Sequence, residues 1–281
     1  TDVPAGDIGV GTRLQGSRSY DHPLVTHPRV ICTPHLGAST EQAQVNVSVA
    51  VAEQVRDFLL EGVVRNSINV PSISPELMAE VGPYLVLAEK LGRFQGQLVE
   101  TAIEQVEVEY AGDIAEINVA PITIAVLRGL LERSQANVNM VNAPLLAQEM
   151  GIKLIETKVR KPVDFASSIS VRTRGAAVRL IEGAIFHGSQ PRIVRVDDFM
   201  LEAIPEGPTL LLHTPHQAGV VGRVGSILGE AGINISRMQL GLVPEREEAA
   251  MLVNVDSVPP DAVVEQLRNS PHVITAKLLE L

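Results

Sequence analysis

The sequence predicts a multi-domain α+β protein with a C-terminal ferredoxin-like βαββαβ module. Strand patterns follow one another in runs through the middle of the chain, and six short elements in the order βαββαβ fill its last part. A helical pattern of about 20 residues precedes both. The 281 residues suffice for two or three domains, which we assign to residues 1–70, 71–205 and 206–281.

Composition and charge narrow the classes of function. Apolar residues make up 45% of the chain and charged residues 20%, which is an ordinary globular balance. The formal net charge of −10 leaves no basic excess for neutralising phosphates, so we expect no nucleic-acid partner. No apolar run approaches the ~20 residues that span a bilayer, and the single cysteine, Cys32, cannot form an intrachain disulfide. We therefore expect a cytoplasmic protein with no membrane partner.

The first segment combines a short strand, a histidine and a long helix. HPRVICTP (residues 27–34) predicts a buried strand, and Ser39 with Gln42 predicts a capping box that opens the helix. Apolar residues then recur at helical spacing, including Val47, Val51, Val55 and Phe58. His35 follows the strand directly, at a position where α/β enzymes keep catalytic groups.

The middle segment begins with an extended linker, SINVPSIS (67–74), and a helix that Pro75 starts. QVEVEYAG (105–112) alternates apolar residues with glutamates, which predicts a half-buried strand, and Pro121 opens a second helix. Four further strand candidates are GIKLIETKVR (151–160), SSISVRTR (167–174), AAVRLIEGAIF (176–186) and PRIVRVDDFMLEAIP (191–205).

Each element of the last segment has its own start or stop signal. Gly232 ends the first helix, and prolines begin the second. The predicted order is TLLLHTP (strand), GVVGRVGSILGEAG (helix), INISRMQLGL (strand), EAAMLVNVD (strand), PPDAVVEQLRNS (helix) and HVITAKLLEL (strand).

Several stretches resemble known families. HTPHQAGVVGRVGSILGEAGINIS and AAMLVNVD resemble an ACT domain, a module that is usually paired and binds amino acids at the interface. HPRVICTPHLGASTEQAQ with SINVPS resembles the end of the catalytic part of D-3-phosphoglycerate dehydrogenases. YAGDIAEINVAPITIAVLRGLLE and VNMVNAPLLAQEMGI resemble the intervening domain of the long form of that enzyme. The resemblance covers about residues 20–281, while residues 1–19 depart from it.

The resemblance implies an NAD-dependent enzyme of L-serine biosynthesis that oxidises 3-phosphoglycerate. Residues 1–70 then correspond to the end of a D-2-hydroxyacid dehydrogenase catalytic part, with His35 as general acid and base. In the family, the partner glutamate, the substrate-binding arginine and the glycine-rich dinucleotide loop lie earlier in the chain. We therefore expect this chain alone to bind no NAD and to be inactive, which leaves His35 as an exposed loop residue. Gly6, Gly9 and Gly11 stand in the wrong order for a dinucleotide fingerprint.

The ACT resemblance implies an effector site and an assembly surface. Asn234 matches the asparagine of the family's serine sites, and Thr214 and His216 occupy its first-loop positions. Amides near Gly219 and Val220 can bind a carboxylate at the helix start. We expect L-serine or another amino acid there, and a homo-oligomer formed through an open sheet face or an edge such as TLLLHTP or INISRMQL. The alternative is a pure dimerisation module.

Basic residues of the middle domain suggest an anion site, because long-form relatives can bind anions there and arginine forks match phosphate oxygens. The candidates are Lys90, Arg93, Arg172 and Arg174, and Arg192 and Arg195 are further basic residues on or beside predicted elements of the same domain. Scattered surface charges are the alternative. We expect no metal site.

Two functions of different class remain open at this point. The chain is the C-terminal regulatory and oligomerisation portion of a phosphoglycerate dehydrogenase, or it is a non-catalytic amino-acid-binding or assembly protein built from regulatory domains.

Overall fold

The computed structural model describes residues 27–31, 36–61, 66–68, 75–160, 165–243 and 246–281. The chain divides into two compact units, residues 1–62 and residues 63–281. Cys32 and His35 lie outside the described residues. The described part of HPRVICTP, residues 27–31, contains a turn and no strand, and Ile31 is 93% exposed, so the prediction of a buried strand is wrong there. In the described ranges, no helix has both the length and the apolar character needed to cross a bilayer.

The first unit contains the predicted long helix, α1 (Glu41–Glu61). The predicted capping box is wrong by one residue. Thr40 precedes the first helical residue, and its Oγ1 accepts the backbone N–H of Ala43 at 3.1 Å. Ser39 stands too far from the first turn, so its hydroxyl donates to a carbonyl before the helix, while Gln42 bonds to a side chain further along.

The apolar side chains of α1 recur at helical spacing but are not buried. Val47 is 50% exposed and Phe58 is 52% exposed. The spacing therefore predicted the helix correctly, but not the burial that such spacing usually accompanies.

The second unit begins with an α+β domain. Its elements are α2 (Pro75–Leu98), β1 (Gln105–Gly112), a short 3₁₀ helix (Asp113–Glu116), α3 (Ala120–Leu131), α4 (Ala143–Glu149), β2 (Lys153–Val159), β3 (Ser167–Arg174), β4 (Val178–Phe186), β5 (Gln190–Val196) and β6 (Phe199–Ala203). The strands form one sheet in the order β2-β1-β3-β4-β5-β6. Only the β1–β2 pair in it is parallel, and α3 and α4 lie in the connection between those two strands.

The sequence predicted both long helices and the strand candidates of this domain, with two differences. PRIVRVDDFMLEAIP contains a hairpin, because the chain turns between β5 and β6 at Asp197, which has φ 50°. The carboxylate of Asp197 holds this turn by accepting the Leu180 N–H at 2.9 Å. Helix α4 was not predicted, since it has only seven residues and no side-chain cap.

The core of this domain lies between the sheet and the helices. Val106, Val108 and Tyr110 of β1 are fully buried, as their alternation with glutamates predicts. The Tyr110 hydroxyl lies 2.7 Å from Thr123 Oγ1, which also donates to Glu156. Burial raises the pKa of Tyr110 far above its ordinary value, so this hydroxyl stays protonated.

Helices α2 and α3 pack with their backbones in close contact. A Cβ added at Gly92 would overlap the Val126 carbonyl oxygen and lie 2.9 Å from the Leu130 nitrogen. A Cβ at Gly129 would lie 2.8 Å from the Arg93 nitrogen. Glycine is therefore required at these crossing points because any side chain would clash with the facing helix, and not because of the backbone conformation.

The last segment folds as predicted, with β7 (Pro208–Pro215), α5 (Val220–Glu230), β8 (Ile235–Val243), β9 (Glu248–Val255), α6 (Asp261–Arg268) and β10 (Thr275–Glu280). The strand order β10-β7-β9-β8, antiparallel throughout, is that of a ferredoxin-like βαββαβ module. The strand TLLLHTP is therefore interior, and the expectation that it forms an open edge is wrong.

Both faces of this second sheet are covered along β7, β9 and β10. Leu210, Leu212 and Met251 pack with α5 and α6 in one cluster. Leu211, Leu252 and Leu279 point to the other face and belong to the core cluster of the preceding domain. The expectation of an open sheet face is therefore wrong for the β7, β9 and β10 part of the sheet, because the preceding domain buries it.

Polar contacts complete the seam between the two domains of this unit. Gln97 of α2 exchanges two hydrogen bonds with the Glu280 backbone, at 2.8 and 2.9 Å. The Asn254 amide donates to the carbonyls of Ile204 (3.2 Å) and Glu206 (3.0 Å). The two domains are therefore joined by apolar contacts and by hydrogen bonds between side-chain amides and the backbone.

Candidate functional site

The first loop of the βαββαβ module joins β7 to α5. Gly219 has φ 91°, a conformation that favours glycine, and α5 begins at Val220. His216 and Gly219 are exposed, and the His216 N–H donates to the Glu247 carbonyl at 2.7 Å. Thr214, by contrast, is only 1% exposed within β7. A ligand arriving from solvent therefore meets His216 and the start of α5, but not the Thr214 hydroxyl.

Asn234 stands exposed between α5 and β8. Its backbone is fixed on both sides by Asp256, whose carboxylate accepts the Asn234 N–H at 3.2 Å and whose own N–H donates to the Asn234 carbonyl at 3.1 Å. Among the described residues, none bonds to the Asn234 side-chain amide. That amide can therefore offer one acceptor and two donors to a ligand.

Two of the predicted anion ligands are engaged on α2. Lys90 Nζ donates to the Pro205 carbonyl at 2.6 Å, and burial lowers its pKa despite the nearby carboxylate of Glu206. Arg93 pairs with Glu89 at 3.1 Å and Glu132 at 2.9 Å. Both cations thus have partners within the chain.

The other two candidates lie on the opposite face of the first sheet. Leu87 and Leu91 of α2 pack against Gly183, whereas Arg172 and Arg174 alternate to the other side and share Glu107, at 3.8 and 3.9 Å. The structure therefore brings Arg172 and Arg174 together, but not with Lys90 and Arg93.

A shallow cavity of about 210 Å³ opens on this outer sheet face. Arg172 and Arg195 line it beside three glutamates, Glu107, Glu109 and Glu182. Acidic side chains outnumber basic ones there, which disfavours an anion. In the described part of the chain, no cluster of histidine, cysteine and carboxylate residues could hold a metal ion.

A larger cavity, of about 550 Å³, lies at the seam between the two domains, and sequence reasoning did not find it. We call it the seam cavity. Its charged or titratable lining residues are Glu100, Arg179, His213, Arg268 and Lys277. They come from the segment after α2, from three strands and from α6, so no local motif could have signalled them.

Comparison with protein families identifies two domains in the chain. Residues 80–197 match the D-3-phosphoglycerate dehydrogenase intervening domain, and residues 209–272 match the ACT domain. The first match covers α2 from residue 80 to the end of β5, and the second covers the βαββαβ module up to the end of α6.

Curated proteins similar to this chain carry the same name in several organisms. The D-3-phosphoglycerate dehydrogenase of Synechocystis sp. is 39% identical over 255 residues, covering 90% of this chain and 46% of the relative. That of Bacillus subtilis is 36% identical over 264 residues, covering 93% and 50%. The chloroplastic D-3-phosphoglycerate dehydrogenase 2 of Arabidopsis thaliana is 32% identical over 272 residues, covering 89% and 43%. The chain spans about half the length of these relatives.

Proposed function

This chain carries the C-terminal part of a D-3-phosphoglycerate dehydrogenase, an intervening domain followed by an ACT domain, and on that premise we propose that it controls such an enzyme in response to an amino acid. The activity proposed for the whole enzyme is oxidation of 3-phosphoglycerate for L-serine biosynthesis, with NAD as hydride acceptor. His35 is the proposed general acid and base of that reaction.

The observation that carries the proposal is the shared construction of the two domains. An effector site must be coupled mechanically to the rest of the molecule if it is to regulate anything. Leu211, Leu252 and Leu279 of the ACT sheet are part of the intervening-domain core. A shift in the packing of one domain would therefore displace side chains of the other.

The described residues do not fit a dinucleotide. A fingerprint needs glycines in the order G-x-G-x-x-G between a strand and a helix. In the described ranges, the nearest strand–glycine–helix junction has Gly219, Gly222 and Gly225 at a spacing of three. NAD therefore has no such site among these residues.

We propose L-serine as the effector, bound beside Asn234 and the α5 start. The Asn234 amide supplies groups for the ammonium and hydroxyl, and the free amides near Gly219 and Val220 suit the carboxylate. His216 is exposed on the same loop and is the remaining polar group. Thr214 contributes by shaping the loop from its buried position in β7.

We propose further that two copies pair through β8, giving a homo-oligomer. In the described part of the ACT sheet, β8 hydrogen-bonds to β9 alone, so one of its edges lacks a partner strand. Asn234 directly precedes this strand, and a two-fold pairing would therefore place both effector sites beside the interface.

Titration calorimetry with L-serine tests the effector proposal. We expect saturable binding to the chain, weakened at least about fivefold in Asn234→Ala, since one polar contact contributes about 1 kcal/mol. Asn269→Ala, which removes another exposed asparagine at the end of α6, should bind as the parent does.

Two results would redirect this proposal. Equal binding by the parent and Asn234→Ala would place the effector elsewhere. No binding, together with a dimeric mass in light scattering, would support the alternative of a pure assembly module.

A further inference from the structure

We propose that the cavity of about 210 Å³ on the outer face of the first sheet binds a small aliphatic compound with two ammonium groups, a diamine or a diamino acid. We call it the outer-face cavity. Its lining comes from β1, β3, β4 and β5, all of which belong to the intervening domain. The site is therefore separate from the effector site proposed in the ACT domain and from the seam cavity.

Two glutamates of the outer-face cavity have no cationic partner. Glu109 of β1 and Glu182 of β4 both stand opposite Ser170 of β3, in one row across the three strands. Adjacent strands lie about 4.8 Å apart, so the Cα atoms of the two glutamates are about 10 Å apart, with only a small side chain between them. Both glutamates are partly buried, and neither carboxylate bonds to another described residue. Partly desolvated carboxylates of this kind favour a ligand of opposite charge.

The third glutamate of the lining already has partners. Glu107 lies 3.8 Å from Arg172 and 3.9 Å from Arg174. Among the described residues, the three glutamates do not form a cluster that could hold a metal ion. Two separate carboxylates therefore remain, and they suit a cation whose charges are also separated.

Ser168 gives independent evidence for a ligand. The residue is only 6% exposed, and it alternates with the fully buried Ile169, so its hydroxyl points into the outer-face cavity. Within the described ranges this hydroxyl has no hydrogen-bond partner. Because hydroxyls buried to this extent are normally hydrogen-bonded, a ligand that donates to Ser168 is expected, and an ammonium group carries three donors.

The rest of the lining favours an organic cation with a carbon chain. Leu180 adds an apolar side chain to the wall, against which methylene groups can pack. Arg195 stands opposite Glu182, and its Nε donates to the Asp197 carbonyl at 2.7 Å. In the described part of the chain, the Arg195 guanidinium forms no ion pair, so it can bind a carboxylate of the ligand.

Calorimetric titration of the full chain with three matched compounds tests the proposal. Putrescine is L-ornithine without its carboxylate, and L-norvaline is L-ornithine without its side-chain ammonium. We expect saturable binding of L-ornithine and putrescine, and at least about tenfold weaker binding of L-norvaline, which lacks one charged hydrogen-bonding group. Tighter binding of L-ornithine than of putrescine would indicate a diamino acid that uses Arg195, and the reverse order would indicate a diamine.

Variants locate the binding site. Glu182→Gln removes one carboxylate at nearly constant size and should weaken L-ornithine binding about tenfold or more. Ser170→Leu fills the space between the two glutamates and should abolish binding. Glu149→Gln removes an exposed carboxylate at the end of α4, outside the cavity, and should bind as the parent does.

Asn234→Ala, which alters the proposed effector site, should also leave L-ornithine binding unchanged. The proposal is overturned if neither compound with two ammonium groups binds saturably, or if Glu182→Gln and Glu149→Gln weaken binding equally. It is also overturned if Asn234→Ala removes binding and Glu182→Gln does not, because the ligand would then occupy the ACT domain.

Discussion

His213 shows how one residue joins the two domains. Its ring stacks on Phe199 of the intervening domain, with centroids 5.4 Å apart and planes inclined by 28°. Burial lowers the pKa of His213, and Arg179 lowers it further, while Asp197 and Glu248 oppose the shift. The ring is therefore neutral in the folded protein at pH 7, and protonation would place a second positive charge beside Arg179.

The lowered pKa of His213 predicts a loss of stability in acid. Below about pH 6.5 the unfolded chain takes up a proton at this ring before the folded chain does, so stability falls as pH falls towards the lowered folded pKa. Melting temperatures at pH 7.5 and pH 5.5, in a buffer of monovalent anions, measure this. In His213→Gln the decrease between the two pH values should be smaller than in the parent. An identical decrease would mean that other groups cause the acid sensitivity.

At the level of elements, helices α2 and α3 can cross closely because glycines stand at their contact points. Gly92, Gly96 and Gly129 allow the two backbones to meet, whereas Gly222, Gly225 and Gly229 of α5 have open space around them. A Cβ at Gly225 of α5 would meet nothing within 4 Å. These helix glycines therefore differ in what an alanine would do.

Alanine substitutions at the two sites should change stability in opposite directions. Gly92→Ala forces the α2 and α3 backbones apart, and we expect a loss of about 1–3 kcal/mol, as for other overpacked cores. Gly225→Ala should add about 0.5–1 kcal/mol, because alanine restricts the unfolded chain and fits the open space. Urea denaturation of both variants measures the free energies. Similar values for the two would show that the helix crossing relaxes easily.

The sequence was informative where an element carries its own signals. The βαββαβ order was predictable because Gly232 and the prolines before α6 mark helix ends and starts, and β1 because its apolar residues alternate with glutamates. Helix α4 has a proline in its first turn, but its seven residues are too few to show a helical apolar period. The cap of α1 shifted by one residue between two similar hydroxyl side chains.

Contacts between distant residues could not be predicted in this way. Lys90 looks like a free cation in the sequence, but Pro205, 115 residues later, accepts its hydrogen bond. The lining of the seam cavity likewise depends on how two sheets meet, which no local pattern encodes. The predicted effector residues were easier to place, since Gly219 and Asn234 flank one helix.

At the scale of the molecule, the apolar core of the intervening domain extends onto one face of the ACT sheet. Leu252 on β9 is fully buried among residues of the intervening domain, although it belongs to the ACT sheet. Gly241 of β8 also lies close to β6, since a Cβ there would be 2.7 Å from the Met200 carbonyl oxygen. Residues 63–281 should therefore unfold together.

Leu252→Ala tests this cooperativity. We expect a loss of about 2–5 kcal/mol, typical of a buried leucine, and an equal loss of hydrogen-exchange protection in α2 and in β9. Leu240→Ala, at a side chain that is 41% exposed on the same sheet, should cost much less. Protection lost in β9 alone would show that the ACT domain opens independently.

The burial of one face of the ACT sheet also limits how the two domains can be exchanged between genes during evolution. Recombination can transfer a module between enzymes only if the module arrives with surfaces that water tolerates. Without the intervening domain, this ACT domain would expose Leu211, Leu252 and Leu279 to solvent, because the intervening domain buries them. The intervening and ACT domains should therefore travel between genes as a pair, and substitutions on one side of the seam should be accompanied by compensating substitutions on the other.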